Sequence, residues 1–150
     1  MPGDLVIDDF EDANLRSNKL GGIVTWDNQT PTLVGGEQRF VWNGQSVYQD
    51  FIETLRSNWC EYDASAYSKV RFRMRSSVAN KRVDIYMGIG NGRCAQASNS
   101  RITSVTVGTT MTTYEVSLAG VSKTNLLTVE FTPSSTDSTV YHLDDVVLVR

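Results

Sequence analysis

From Val70 to Met74 and again from Val83 to Ile89, apolar and polar side chains take strict turns along the chain. Val70, Phe72 and Met74 are separated by Arg71 and Arg73, and Arg75 follows. Val83, Ile85, Met87 and Ile89 are separated by Asp84, Tyr86 and Gly88. A period of two sends alternate side chains to opposite faces of an extended strand. The pattern therefore predicts two half-buried strands with one apolar and one polar face each, and excludes an amphipathic helix there.

The same reading extends over most of the chain. Further strands are predicted at 5–10, 40–42, 46–54, 102–107, 113–118, 127–132 and 141–149, the Leu127, Val129, Phe131 spacing being especially regular. Between them stand turn-formers: Gly21-Gly22, Gly35-Gly36, Asn43-Gly44, Asn91-Gly92 and Pro133-Ser134-Ser135. Asn43-Gly44 is a strong hairpin signal. No window sustains helical periodicity, and 57–67 offers at most one short turn of helix. Some nine short strands with frequent turns predict an all-β fold of two packed antiparallel sheets, a jelly roll first. An immunoglobulin-like sandwich comes second, because Cys60 and Cys94 lack the Trp-between-Cys pattern.

The 150 residues suit one domain able to bury its own core. Fourteen basic and seventeen acidic residues leave a net charge of −3, without the basic bias of a nucleic-acid binder. No apolar run is long enough to span a bilayer as a helix. Met1-Pro2-Gly3-Asp4 does not read as a signal peptide and looks like the start of an excised or mature domain. Cys60 and Cys94 either form a disulfide, closing a loop of about 35 residues worth roughly 3–4 kcal/mol, or remain buried thiols. Pairing suits an oxidising compartment. The sequon Asn28-Gln29-Thr30, weakened by Pro31, points the same way. A secreted monomer is the expectation.

Alternation also predicts what faces outward. Arg71, Arg73 and Arg75, Asp84 and Tyr86, Glu130, and His142 between Tyr141 and Leu143 should project from sheet faces, not necessarily all from one sheet. Tyr48 and Asp50 share one side of their own strand, and Trp26 lies near an expected loop after Gly21-Gly22. Trp42, beside the expected hairpin, reads as core, and Trp59 is compatible with either core or surface. Sugar recognition needs aromatic rings against the apolar face of a pyranose and directional polar groups for its hydroxyls. Trp26, Tyr48, Asp50, Arg71, Arg73, Arg75, Asp84, Tyr86, Glu130 and His142 are thus the candidate ligand-binding residues. The simpler alternative is that the arginines form a solvated stripe balanced by Asp84 and Glu130, and that His142 is a surface residue.

Leu-Val-Ile-Asp-Asp-Phe-Glu-Asp at 5–12 and Tyr-His-Leu-Asp-Asp-Val-Val-Leu-Val at 141–149 resemble the first and last strands of jelly-roll carbohydrate-binding modules of the galactose-binding-like group. The segment 60–76, Cys-Glu-Tyr-Asp-Ala-Ser-Ala-Tyr followed by a strand, is similar to their "aspartate, small residue, tyrosine, then a strand" stretch. The likeness runs nearly end to end, on short motifs. It implies glycan binding on a sheet face and, often, attachment to a polysaccharide-degrading enzyme; the same architecture also serves protein interaction. It further implies a structural calcium holding the N-terminal segment to the last strand, with Asp9, Glu11, Asp144 and Asp145 at the matching positions.

Catalysis has little support. Asp84 and Glu130 are a conceivable hydrolase pair, and Arg73, Tyr86 and His142 a conceivable lyase set. One histidine argues against a His-rich zinc site. No Gly-x-Ser-x-Gly elbow occurs, and Gly88-x-Gly90-x-Gly92 lacks a following helix. The expected function is non-catalytic binding of a polysaccharide, a neutral β-glucan or related cell-wall polymer, since Asp50, Asp84 and Glu130 would repel a polyanion from a shared groove.

Overall fold

The computed structural model describes residues 3–11, 24–26, 32–41, 47–50, 62–93, 96–134 and 138–150. Cys60, Cys94, Trp42, Trp59 and the sequon at 28–30 fall outside them, as does the predicted turn at 43–44. The described residues form eleven strands and a single 3-10 turn, Lys123–Asn125. The strands are β1 (Leu5–Asp8), β2 (Val24–Trp26), β3 (Thr32–Val34), β4 (Glu37–Val41), β5 (Val47–Asp50), β6 (Lys69–Ser76), β7 (Lys81–Gly90), β8 (Gln96–Val107), β9 (Thr112–Ser117), β10 (Leu126–Pro133) and β11 (Val140–Val149).

They make two antiparallel sheets. The first has the order β3-β4-β11-β6-β9, with β1 also paired to β11; the second has the order β2-β5-β10-β7-β8. This is the predicted two-sheet sandwich. Strand β11 is the seam of the first sheet. Its first half pairs with β4 (Tyr141 opposite Phe40) and its second half with β1 (Leu5 opposite Leu148). Along its other edge it pairs with β6, with a register shift between Asp144 and Val147. Asp145, inside that bulge, has φ 47, the left-handed conformation a bulge residue adopts when one strand carries extra length.

The alternation behaves as predicted. Val70, Phe72 and Met74 from β6, Val83, Ile85 and Met87 from β7, Val129 and Phe131 from β10, and Tyr141, Leu143, Val146 and Leu148 from β11 all join one buried core. Phe72 meets Phe131 edge-on across the sheets at 4.9 Å, and Phe40 stacks on Tyr141 at 5.5 Å. Gly35 (φ 58) and Gly36 (φ 76) form the two-residue turn between β3 and β4, with Val34 opposite Glu37. Two successive positive φ values are the demand of a type I′ hairpin, which glycine meets without strain.

β4 belongs to the first sheet and β5 to the second, so these two strands are not hairpin partners of each other. A local turn signal cannot tell a hairpin from a crossover, because the pairing partners (β11 and β10) lie far away in sequence. Trp26 likewise ends an edge strand, opposite Val47, rather than lying in a loop. Three-residue strands such as β2 and β3 are too short to show a period.

Within the core one polar side chain stands out. Gln38 is fully buried, and neither its amide nitrogen nor its oxygen finds a hydrogen-bond partner among the described residues. An unmet buried amide costs about 1–3 kcal/mol. Gln38→Leu, close in volume, should therefore raise the unfolding free energy by about 1–2 kcal/mol in urea denaturation. A loss of more than 1 kcal/mol would show that the amide is engaged.

Candidate functional site

The inward set fixes two outer faces, one on each sheet, and divides the candidate residues between them. On the second sheet, Asp84, Tyr86 and Gly88 alternate with the core residues of β7, and Thr128, Glu130 and Thr132 with those of β10. The strands register Glu130 opposite Tyr86 and Thr132 opposite Asp84. The neighbouring strand β5 brings Tyr48 opposite Glu130 and Asp50 opposite Thr128. β2, with Trp26, completes that side of the sheet, and β8 sets Arg101 opposite Tyr86 on the other.

These polar groups are already tied to one another. Arg82 Nε donates to Asp84 Oδ1 at 3.0 Å, and Arg101 lies 3.9 Å from the same oxygen. Asn99 Nδ2 donates to Glu130 Oε2 at 2.8 Å, and Thr132 Oγ1 to Glu130 Oε1 at 2.9 Å. Asp84 and Glu130 are recessed (8% and 6% exposed), whereas Tyr86 is only half-buried. Beside Tyr86, Gly88 is buried under the Thr128 side chain, so close that a Cβ there would come within 3.1 Å of Thr128 Oγ1. A partly open ring therefore stands among fixed carboxylates and guanidinium groups. Such a surface offers stacking area with donors and acceptors in set positions.

Arg71, Arg73, Arg75, His142, Asp144 and Asp145 belong to the first sheet. There each arginine has its own carboxylate. Arg71 pairs with Asp4 (3.2 Å), Arg73 with Asp144 (3.4 Å) and Asp145 (3.5 Å), and Arg75 with Glu37 (3.2 Å). His142 Nδ1 lies 2.9 Å from Glu37 Oε2. Burial, then the Arg75 charge, holds the His142 imidazolium below its usual range. The expected balance of the arginine row by Asp84 and Glu130 is thus corrected: those carboxylates belong to the other sheet. Arg73, Tyr86 and His142 cannot converge as a lyase set, since β7 lies in one sheet and β6 and β11 in the other.

The carboxylates expected to hold calcium are engaged otherwise. Asp9 Oδ1 accepts from the Glu11 N–H at 3.2 Å, and Asp144 and Asp145 both lean on Arg73. Among the described residues no three His, Cys, Asp or Glu side chains converge to hold a metal ion. As arranged, with a guanidinium between two of the carboxylates, these residues do not fit a calcium ion.

Arg82, Gly88, Asn99, Arg101, Thr128 and Thr132 were not singled out by sequence. The first half of β8 is a Gln/Ser/Asn-rich run with no alternation to detect. The available signal was indirect: a ten-residue strand followed by Asn91-Gly92 calls for a return strand of similar length.

Comparison with known proteins agrees with this architecture. No protein-family model and no curated protein matches the sequence. Solved structures do match. A family 29 carbohydrate binding module superposes with a TM-score of 0.66 at 12% identity, covering 97% of this chain and 86% of its own. The chain has the fold of a family 29 carbohydrate-binding module. Two CBM29-2 mutants, one complexed with cellulohexaose and one with mannohexaose, each superpose with a TM-score of 0.69. Their identities are 11% and 12%; the first covers 97% of this chain and 89% of its own, the second 99% and 92%. At that identity the likeness is one of fold.

One consequence concerns the first sheet. Burial, followed by the charge of Asp145, pushes the Asp144 carboxyl up to about 6. Its folded value lies above the unfolded one, so the folded state binds the extra proton between about pH 4 and 6. Stability associated with Asp144 is full below that window and lost as pH rises through it. Asp144→Asn, whose amide oxygen can still accept from the Asp145 N–H, should match the parent below pH 4. It should exceed the parent by about 2 kcal/mol at pH 7 in denaturation curves. Equal stability at both pH values would mean that Arg73 fully compensates the charge.

Proposed function

We propose that the chain is a non-catalytic module that binds a polysaccharide on the outer face of the second sheet, with a neutral β-linked glycan as its ligand. The observation that carries this reading is the grouping of Tyr86, Asp84 and Glu130 on one face of the fold that family 29 carbohydrate binding modules share. Tyr86 supplies the stacking ring. Asp84 and Glu130 accept from sugar hydroxyls, and Arg82, Arg101 and Asn99 donate to them. In the neighbouring strand β5, Tyr48 and Asp50 stand in register with Glu130 and Thr128 and are proposed as further contacts, whereas Trp26 of β2 is in register with Val47 and so with the core residue Phe131. The recessed carboxylates favour a neutral chain over a polyanion.

Asp84 and Glu130 are each held in place by hydrogen-bond partners on neighbouring positions, an arrangement that suits the presentation of fixed acceptors to a ligand. No helix among the described residues is long and apolar enough to cross a membrane. The setting proposed is extracellular, with the module joined to or working beside a polysaccharide-degrading enzyme. Tethering would raise the effective concentration of that enzyme on its substrate.

Affinity electrophoresis against soluble neutral glucans, mannans and uronate-rich polymers tests the reading. Retardation by a neutral polymer is expected. Tyr86→Ala should weaken it about tenfold or more, the usual cost of removing an aromatic anchor, and Arg73→Ala should leave it unchanged. Retardation by none of the polymers would favour a protein-interaction role for the fold. Retardation sensitive to Arg73 but not to Tyr86 would move the site to the first sheet.

A further inference from the structure

A cavity of about 360 Å³ opens between the end of β7, the middle of β8 and the turn that leaves β9. Ile89, Ile102, Val121 and the Ala119 methyl give it an apolar side, and Ser98, Ser122 and Arg101 a polar one. Three features set it apart from an ordinary packing gap. Ile89, Ile102 and Val121 are only partly buried against the core, so apolar surface is left facing the opening. The turn that forms its wall is pinned, Leu118 N–H donating to the Ser68 carbonyl at 2.9 Å and Val121 N–H to Leu118 at 3.0 Å. Finally, Arg101 belongs both to this lining and to the outer face of the second sheet, where it stands opposite Tyr86.

Arg101 also limits what can enter. Its side chain is half exposed, and its ion-pair contact with Asp84 spans 3.9 Å, too long for a hydrogen bond. A guanidinium has donors and no acceptor. Its partner in the cavity must therefore present an acceptor oxygen, while the aliphatic wall calls for a methyl or similar apolar group beside it. A bare sugar hydroxyl meets the first demand but not the second. An acetyl ester meets both, with its carbonyl oxygen toward Arg101 and its methyl toward Ile89, Ile102 and Val121.

We propose that this cavity is an accessory subsite for an O-acetyl substituent on a polysaccharide whose backbone lies across Tyr86. The proposal rests on the glycan-binding reading above and adds a preference for esterified chains. Arg101 links the two, since one residue borders both the backbone face and the substituent cavity.

The test compares acetylated glucomannan with the same polymer after mild alkaline removal of its esters, by isothermal titration on the intact chain. The parent should bind the acetylated polymer about fivefold or more tightly, the gain expected for burying one methyl with its carbonyl satisfied. Ala119→Trp, at an exposed turn position, should fill the cavity and abolish that preference while leaving affinity for the deacetylated polymer unchanged. Arg101→Met should also remove the preference, and Tyr86→Ala should weaken both polymers together. Equal affinity of the parent for the two polymers would overturn the accessory subsite. So would a preference that survives Ala119→Trp in a variant whose thermal midpoint matches the parent's. Failure of the parent to bind either polymer would instead overturn the glycan-binding reading itself.

Discussion

The edge-on contact of Phe72 with Phe131 is what the rest of the molecule depends on. It joins β6 of the first sheet to β10 of the second at 4.9 Å and sets the side of each strand that faces the partner sheet. Once Phe72 points in, Arg71 and Arg73 must point out, because neighbours along a strand face opposite ways. Once Phe131 points in, Glu130 and Thr132 must point out on the far side. The arginine row and the Tyr86 face are therefore on opposite outer surfaces of the sandwich as a consequence of core packing. A one-residue slip in either strand would bury a charge, which is why the register is so firmly specified.

That logic also marks how far the sequence could be read. Alternation identified β6, β7, β10 and β11, and with them the inward and outward assignment of every residue from Val70 to Met74 and from Val83 to Met87. Strand pairing was another matter. Arg73 and Tyr86 have equivalent signatures in sequence, each an outward residue on a half-buried strand, yet the first pairs across to Asp144 and the second faces Glu130. Sheet membership depends on contacts between residues about 40 to 70 positions apart, and no local pattern encodes it. The strands β4 and β5 show the same limit: adjacent in sequence, they pair with β11 and β10 rather than with each other. Of β8 only the second half, 102–107, was legible, because the Gln, Ser and Asn run of its first half has no contrast to betray a period.

The two outer faces differ in how their charges are used. On the first sheet Arg71, Arg73 and Arg75 each have a carboxylate partner at 3.2–3.5 Å. Partly exposed pairs of this kind contribute little stability, but they commit each of these guanidinium groups to a neighbouring carboxylate. On the second sheet the carboxylates are the recessed members and the arginines the exposed ones. Asp84 is 12% exposed at its side chain, against about half for Arg82 and Arg101. The guanidinium groups there still present open N–H edges around a half-exposed tyrosine. Charge density alone would have pointed to the first sheet; the recessed carboxylates beside a half-exposed tyrosine point to the second.

Placement on strands rather than loops has an energetic meaning for such a face. Glu130 is held from two sides by Asn99 and Thr132, and Asp84 by Arg82, before any ligand arrives. Groups fixed in advance lose little conformational entropy on binding, which is where weak polar contacts to a flexible chain otherwise fail. The same rigidity limits adaptability: a face that cannot reshape must select among chains by where their hydroxyls and substituents fall. The cavity beside Arg101 is then a place where this surface has room, and room on a rigid face is what discriminates one glycan from another.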